Sequence, residues 1–249
     1  MIEMSFQKLM ERAETVNPDG WGAVFYEKND AYVFREPRPG STSRLAGLLG
    51  VCGVDSSLAI AHIRKATGSA VELRNTHPFT REIHGRLHSF AFNGDVPDVF
   101  DLDLISDQYL PIGETDGEYA FCWLLQQFAN SDVDDDWRRM ASSLHSLGCQ
   151  LADMGPANFL YSDSLRLYAF ASRRRRRDGE YPPGLYHLCR HCDPQRESIP
   201  CVGLSVEPSA QTEQKLTLTA SVPLSDEDWV PFESNQLLVI ENGRILNWN

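Results

Sequence analysis

Arg64 closes an apolar run, residues 57 to 64 (SLAIAHIR). A guanidinium at the end of a buried strand can grip a carboxylate with two parallel hydrogen bonds. Asp116 lies in Thr115-Asp116-Gly117-Glu118, a capping-box pattern that opens a helix. Its carboxylate therefore sits in a first helical turn, where it can pair with an ammonium group. A ligand that carries both a carboxylate and an ammonium is an amino acid. Asn93-Gly94 follows the run 87 to 92 (LHSFAF) directly. Asn93 offers a side-chain amide, and Gly94 a backbone N–H with no side chain in the way. Together they can donate to a developing oxyanion. Singly, each has a plainer explanation. A strand-end arginine often makes only a surface ion pair, an acid at a helix start complements the dipole, and Asn-Gly usually marks a turn. His62 and His77 read singly as satisfied structural histidines, and Trp21 as core.

The elements that must position these groups follow from periodicity. Ser5 can cap a helix over residues 5 to 14, with Phe6, Leu9, Met10 and Ala13 on one face. Residues 20 to 26 and 31 to 35 read as a hairpin around Lys28-Asn29-Asp30. Ser43 starts a short helix through Leu49, and 57 to 64 and 87 to 92 are strands. The capping box at Thr115 opens a helix through about Phe128. Residues 134 to 152 give a second helix with Trp137, Met140, Leu144, Leu147 and Leu151 on one side. Strands are expected at 157 to 161, 165 to 171, 185 to 190, 201 to 206 and 215 to 221. A last hairpin turns at Asn242-Gly243, a type I′ signal. Strands, then two helices, then strands is no repeating βαβ pattern. It suggests largely antiparallel sheets with grouped helices, in one domain over residues 1–249, since no linker divides the chain.

The chain has 249 residues, 42% of them hydrophobic, enough for a sizeable core. Its net charge of −12 argues against binding nucleic acid through phosphate neutralisation. Arg173 to Arg177 is the local exception. It reads as a solvated loop between strands, or as an anion patch, although nothing aromatic interleaves it. No apolar stretch is long enough to span a membrane. No signal peptide is visible, and six cysteines in a chain this long build no dense disulfide framework, so a cytoplasmic location is expected. Cys189 and Cys192, with His187, His191 and Cys201 nearby, lack a second well-spaced ligand pair, so structural cysteines are expected rather than zinc. No metal or cofactor is expected; a small-molecule substrate is, and a homo-oligomer is left open.

Order and spacing join the pieces. Asp19-Gly20-Trp21-Gly22, then His62-Ile63-Arg64-Lys65-Ala66-Thr67 with Asn75-Thr76-His77-Pro78-Phe79, then Asn93-Gly94, then Gly113-Glu114-Thr115-Asp116, resembles the class II glutamine amidotransferases of the N-terminal nucleophile (Ntn) hydrolase superfamily. The likeness is to small stand-alone members, and its motifs cover residues 17 to 128. The resemblance implies an α+β fold, a four-layer αββα sandwich of two mainly antiparallel sheets. It implies glutamine or a γ-glutamyl amide as substrate. Arg64 would bind the substrate carboxylate, Asp116 its α-ammonium, and Thr67 would line the pocket. Asn93 and Gly94 would form the oxyanion hole, with His77 and the Asp19–Gly22 segment as supports.

One part of the family pattern is not matched. The family's nucleophile is a cysteine exposed as residue one, with its own α-amine as base. Here Met1 precedes Ile2. None of the six cysteines stands at such a position, and the family's first strand is expected to be missing as well. Either the reading frame begins upstream and the full protein carries Met-Cys, or the chain is a non-catalytic member that binds an amino acid or a protein partner. A purely structural role is a third possibility, since fold does not fix function.

Overall fold

The computed structural model describes residues 17–129, 136–175, 180–192, 199–201, 204–206 and 214–248. The helix expected over 5 to 14, the site of the expected missing strand and the last two arginines of the run lie outside them. The fold is α+β, and every strand pairing among the described residues is antiparallel.

Strands β1 (Trp21–Glu27) and β2 (Asp30–Glu36) form the expected hairpin, and β3 (Ala59–Ile63) pairs with the other side of β1. Between them lies α1 (Arg44–Cys52), begun by Ser43, whose Oγ accepts the Ala46 N–H at 3.0 Å. A second hairpin joins β4 (Phe79–Ile83) to β5 (Arg86–Phe92). Then come α2 (Asp116–Ala129) and α3 (Trp137–Met154), and strands β6 (Asn158–Ser162) and β7 (Leu167–Ala171). The remaining strands are β8 (Tyr186–Cys192), β9 (Ile199–Cys201), β10 (Leu204–Val206), β11 (Gln214–Ala220), β12 (Val230–Pro231), β13 (Gln236–Glu241) and β14 (Arg244–Leu246). The strand expected over 201 to 206 is thus two short ones, β9 and β10, paired with each other.

The main sheet has the order β14-β13-β7-β6-β5-β4, and smaller sheets run β2-β1-β3 and β11-β8-β12. Period-two alternation divides the main sheet's faces. Phe79, Phe90, Phe92, Phe159, Tyr161, Tyr168 and Phe170 point to one side and pack with Phe121, Leu124, Leu125, Leu144 and Leu151 of α2 and α3. Each such phenylalanine contributes about 1.5–3 kcal/mol by burial. The opposite face carries smaller groups: Ala91, Leu167 and Ile240 meet Ile60 of β3, and Ala169 and Ala171 meet Leu185 and Phe232. On the far side of β1, Trp21, Ala23 and Phe25 pack against Ala46 and Leu49 of α1. The layers therefore run helix, sheet, sheet, helix. The aromatic face fits helices, and the small-residue face lets two sheets approach.

Strand β4 has no clear sequence signature, and the structure shows why. Phe79, Arg81 and Ile83 share the face toward α2, so a charged residue interrupts the apolar alternation. Arg81 is accommodated by an ion pair with Glu118 at 2.7 Å. The turn at Asn242-Gly243 has both residues at positive φ, 49° and 70°, as a type I′ turn requires. No helix among the described residues is long and apolar enough to cross a membrane.

Candidate active site

Strand β3 ends at Ile63, and Arg64 is held immediately beyond it. Its N–H donates to Gly20 O at 2.8 Å, and its carbonyl accepts the Asp19 N–H at 3.1 Å. Asp19 Oδ2 accepts the Ala66 N–H at 2.8 Å, which fixes the chain on both sides of the arginine. The Arg64 side chain is 3% exposed. Its guanidinium donates to Ser69 Oγ at 2.7 Å and approaches the Asp19 carbonyl at 3.4 Å. It forms no salt bridge with a described carboxylate. Burial pulls its pKa down while Asp19 and Glu114 push it back up. Thr67 is exposed on the loop that carries Ser69 back to Arg64.

Helix α2 starts as expected. Thr115 Oγ1 accepts the Glu118 N–H at 3.1 Å. The reciprocal half of the capping box is absent, because the Glu118 carboxylate accepts from the Gly113 N–H at 2.6 Å and from Arg81 instead. Asp116 accepts the Val96 N–H at 3.0 Å and the Gly117 N–H at 2.8 Å. It pairs with no described cation. Burial raises its pKa above the usual aspartate value, against the lowering effect of those two N–H groups.

Asn93-Gly94 is not a turn. Asn93 continues the pairing of β5, donating to Asn158 O at 2.8 Å, and Asp95 N–H reaches Pro156 O at 2.9 Å. Its carbonyl accepts from Asn158 Nδ2 at 2.9 Å. The Gly94 N–H between them has no partner among the described residues, nor has the exposed side-chain amide of Asn93. A Cβ on Gly94 would run into the Phe92 ring and the Pro156 carbonyl, so only glycine fits.

The three segments meet. The His62 ring, two residues before Arg64, hydrogen-bonds the backbone of Phe92, the residue before Asn93. The His62 and His77 rings touch with centroids 4.4 Å apart, tilted by 38° to each other. A Cβ on Gly117 would lie 2.8 Å from His77 Nε2, so a glycine beside Asp116 leaves room for that ring. Both His77 ring nitrogens, and His62 Nδ1, are buried without a partner. Burial lowers the pKa of both rings, that of His62 to about 4, so both are neutral at pH 7.

Sequence reasoning named Glu114 only within the Gly113–Asp116 motif, and it did not anticipate Ser69 or the Arg81–Glu118 pair. Glu114 Oε1 accepts the Ala70 N–H at 2.9 Å, and its own N–H donates to Asn75 Oδ1 at 2.9 Å. Such contacts join residues far apart in the chain and leave no local signal. Cys122 lies under Arg81, and burial pushes its thiol up to about 11. Cys149 lies on α3 and Cys189 on β8, where its Sγ is 3.6 Å from Thr217 Oγ1. Of the arginine run, Arg175 pairs with Asp95, and Arg173 lies over the Tyr181 ring at 5.9 Å, so the described part is tied down rather than free.

The family model described as class-II glutamine amidotransferases matches residues 1–249. An uncharacterized protein of Methanocaldococcus jannaschii is 33% identical over 253 residues, covering all of this chain and 68% of that protein. YafJ of Escherichia coli, whose name carries a provisional glutamine amidotransferase assignment, is 36% identical over 175 residues, 69% of this chain and 68% of that one. A predicted glutamine amidotransferase from Pseudomonas aeruginosa has a crystal structure similar to this one. The TM-score is 0.67 at 27% identity, over 92% of this chain and 87% of that chain. Glutamine phosphoribosylpyrophosphate amidotransferase of Bacillus subtilis shares the fold at 15% identity, with a TM-score of 0.57 over 99% of this chain and 46% of that one.

Proposed function

This chain belongs to the class-II glutamine amidotransferases, and from that premise we propose that its site binds glutamine, or a γ-glutamyl amide, and acts on the side-chain amide. One observation carries the reading. Two charges of opposite sign, a nearly buried Arg64 just beyond β3 and a partly buried Asp116 at the start of α2, each lack a described ion-pair partner. A buried charge without a counter-charge is costly. A ligand whose carboxylate meets Arg64 and whose ammonium meets Asp116 removes both costs, with Thr67 at the mouth. The side-chain carbonyl then points to the Asn93 amide and the Gly94 N–H. As that carbon becomes tetrahedral, its oxygen gains charge that these two donors stabilise. Residues 1–249 serve this site as one domain.

The described residues supply recognition and oxyanion stabilisation. Of the described cysteines, Cys122 lies on α2, but its thiol is buried and its raised pKa keeps it protonated. That observation favours a second reading for the chain as written: binding of the amino acid without turnover. Calorimetry with L-glutamine tests the clamp common to both readings. Loss of a charge-assisted contact costs about 1.5–3 kcal/mol, so Arg64→Ala and Asp116→Asn should each bind roughly tenfold to a hundredfold more weakly. Equal affinity in wild type and both variants sinks the reading. Ammonia release then separates the two: sustained release from glutamine selects amide hydrolysis, and saturable binding without release selects the second reading.

A further inference from the structure

Asn75 is completely buried, and its side chain is fully used by two loops that belong to different halves of the site. Nδ2 donates to Ala70 O at 3.0 Å and to Glu114 Oε1 at 3.3 Å. Oδ1 accepts the Glu114 N–H at 2.9 Å. Glu114 closes the ring by accepting the Ala70 N–H on the same Oε1 at 2.9 Å. Ala70 adjoins Ser69, the residue that holds the Arg64 guanidinium at 2.7 Å. Glu114 stands two residues before Asp116. Gly113 has no room for a Cβ because Asn75 Oδ1 and Glu118 Oε2 press against it, so the loop cannot slide on the amide. A single chain of short contacts therefore runs from Arg64 through Ser69, Ala70, Asn75 and Glu114 to the start of α2.

We propose that Asn75 and Glu114 form a latch that fixes the Ser69–Ala70 loop against the start of α2, and so sets Arg64 and Asp116 for a ligand that carries both a carboxylate and an ammonium. This rests on the reading of the site as an amino-acid clamp. Neither residue needs to touch the ligand; both are positioning residues. The physical point is that a two-point ligand is sensitive to the spacing of its grips, whereas a one-point ligand is not. A loosened latch lets the two loops drift, and the second contact is then made only when the loops return to register.

The test compares L-glutamine with 4-carbamoylbutanoate, which is glutamine without its α-ammonium, on the full chain by calorimetry. Wild type is expected to prefer glutamine. Asn75→Ala should lower glutamine affinity roughly tenfold, about the worth of one net contact, while affinity for 4-carbamoylbutanoate stays the same. Glu114→Ala should narrow the preference in the same direction, with affinity for both ligands raised by the loss of a negative charge that acts on Arg64. Glu114→Gln should restore most of the preference, because an amide oxygen still accepts the Ala70 N–H. Two results overturn the latch: a preference unchanged in Asn75→Ala, or an equal loss for both ligands, which marks mere structural damage. If Asn75→Ala does not fold, the exposed Glu114 position carries the test under the same criteria. A wild type with no preference for glutamine is a different failure. It removes the clamp reading at Asp116, and the latch with it.

Discussion

Helix α2 begins with two acids two residues apart, and the fold treats them in opposite ways. Glu118 is 1% exposed, paired with Arg81 at 2.7 Å and accepting the Gly113 N–H at 2.6 Å. Asp116 is partly accessible, accepts two backbone N–H groups, and has no described cation. The same contrast holds for the arginines: Arg81 has its carboxylate, while the more deeply buried Arg64 has a serine hydroxyl and a carbonyl. A buried ion pair that is complete within the chain holds the structure. The proposed clamp rests instead on two charges, Arg64 and Asp116, that have no such partner among the described residues. The difference separates the residues that hold the site from those proposed to use it.

The sharpest way to break this comparison is to remove a member of the complete pair. Glu118→Ala leaves Arg81 without its carboxylate and Gly113 N–H without its acceptor. The expected loss is about 3–5 kcal/mol of stability, or roughly 6–20 °C in melting temperature for a domain of this size. Arg64→Ala should do the reverse: melting temperature unchanged or raised, and glutamine bound roughly tenfold to a hundredfold more weakly. Urea denaturation of the two variants side by side is the measurement. If Arg64→Ala proves as destabilising as Glu118→Ala, Arg64 is structural and the distinction between the two pairs collapses.

A smaller effect concerns the buried imidazoles. His88 hydrogen-bonds Tyr161 at 2.5 Å, and burial lowers its pKa to about 4, as it does for His62. In the unfolded chain each imidazole takes a proton near pH 6.5. The folded chain refuses that proton until about pH 4, so the unfolded state binds more protons in between. Stability from these groups is therefore complete above about pH 6.5 and falls as pH drops toward 4. For His88 alone the shift is worth on the order of 3 kcal/mol. Denaturation midpoints measured from pH 7 to pH 4.5 should decline, and the decline should be shallower in His88→Gln. A flat profile over that range would mean the rings are solvated and can charge freely.

What the sequence made legible was local. The β1–β2 hairpin, the start of α2, the apolar side of α3 and the Asn242-Gly243 turn all follow from neighbouring residues, and all are present. The same dipeptide at Asn93-Gly94 shows the limit. There the backbone stays extended because Asn93 and Asp95 pair with Asn158 and Pro156, partners more than sixty positions away. Strand β4 was hidden because its core face carries Arg81, whose partner Glu118 is 37 positions off. Of the candidate site, Arg64, Asp116, Asn93 and Gly94 stood out because strand ends and helix starts are where polar groups gather, whereas Thr67 came only with the family resemblance. Ser69 had no signal, since its role depends on loop packing, and Glu114 was visible only within the Gly113–Asp116 motif. Asn75 was visible only as part of a motif, and its side chain's use in joining two loops is purely tertiary.

The finest test of the comparison is the pH dependence of binding at Asp116, because there stability and affinity should move in opposite directions. Burial is the main cause of its raised pKa, so the folded chain without ligand favours the protonated form more than the unfolded chain does. By linkage, this group's contribution to stability improves as pH falls through its folded value. An ammonium ligand needs the ionised form, so affinity must fall over the same interval. Glutamine binding should be flat near neutral pH and weaken on acidification sooner than an ordinary aspartate, with its pKa near 3.9, would dictate. The weakening can approach but not exceed about tenfold per pH unit, the limit for one proton. Asp116→Asn should abolish the pH dependence along with most of the affinity. The same pH profile for glutamine in wild type and Asp116→Asn would show that Asp116 does not face the ammonium, and would leave it as a capping residue much like its neighbour.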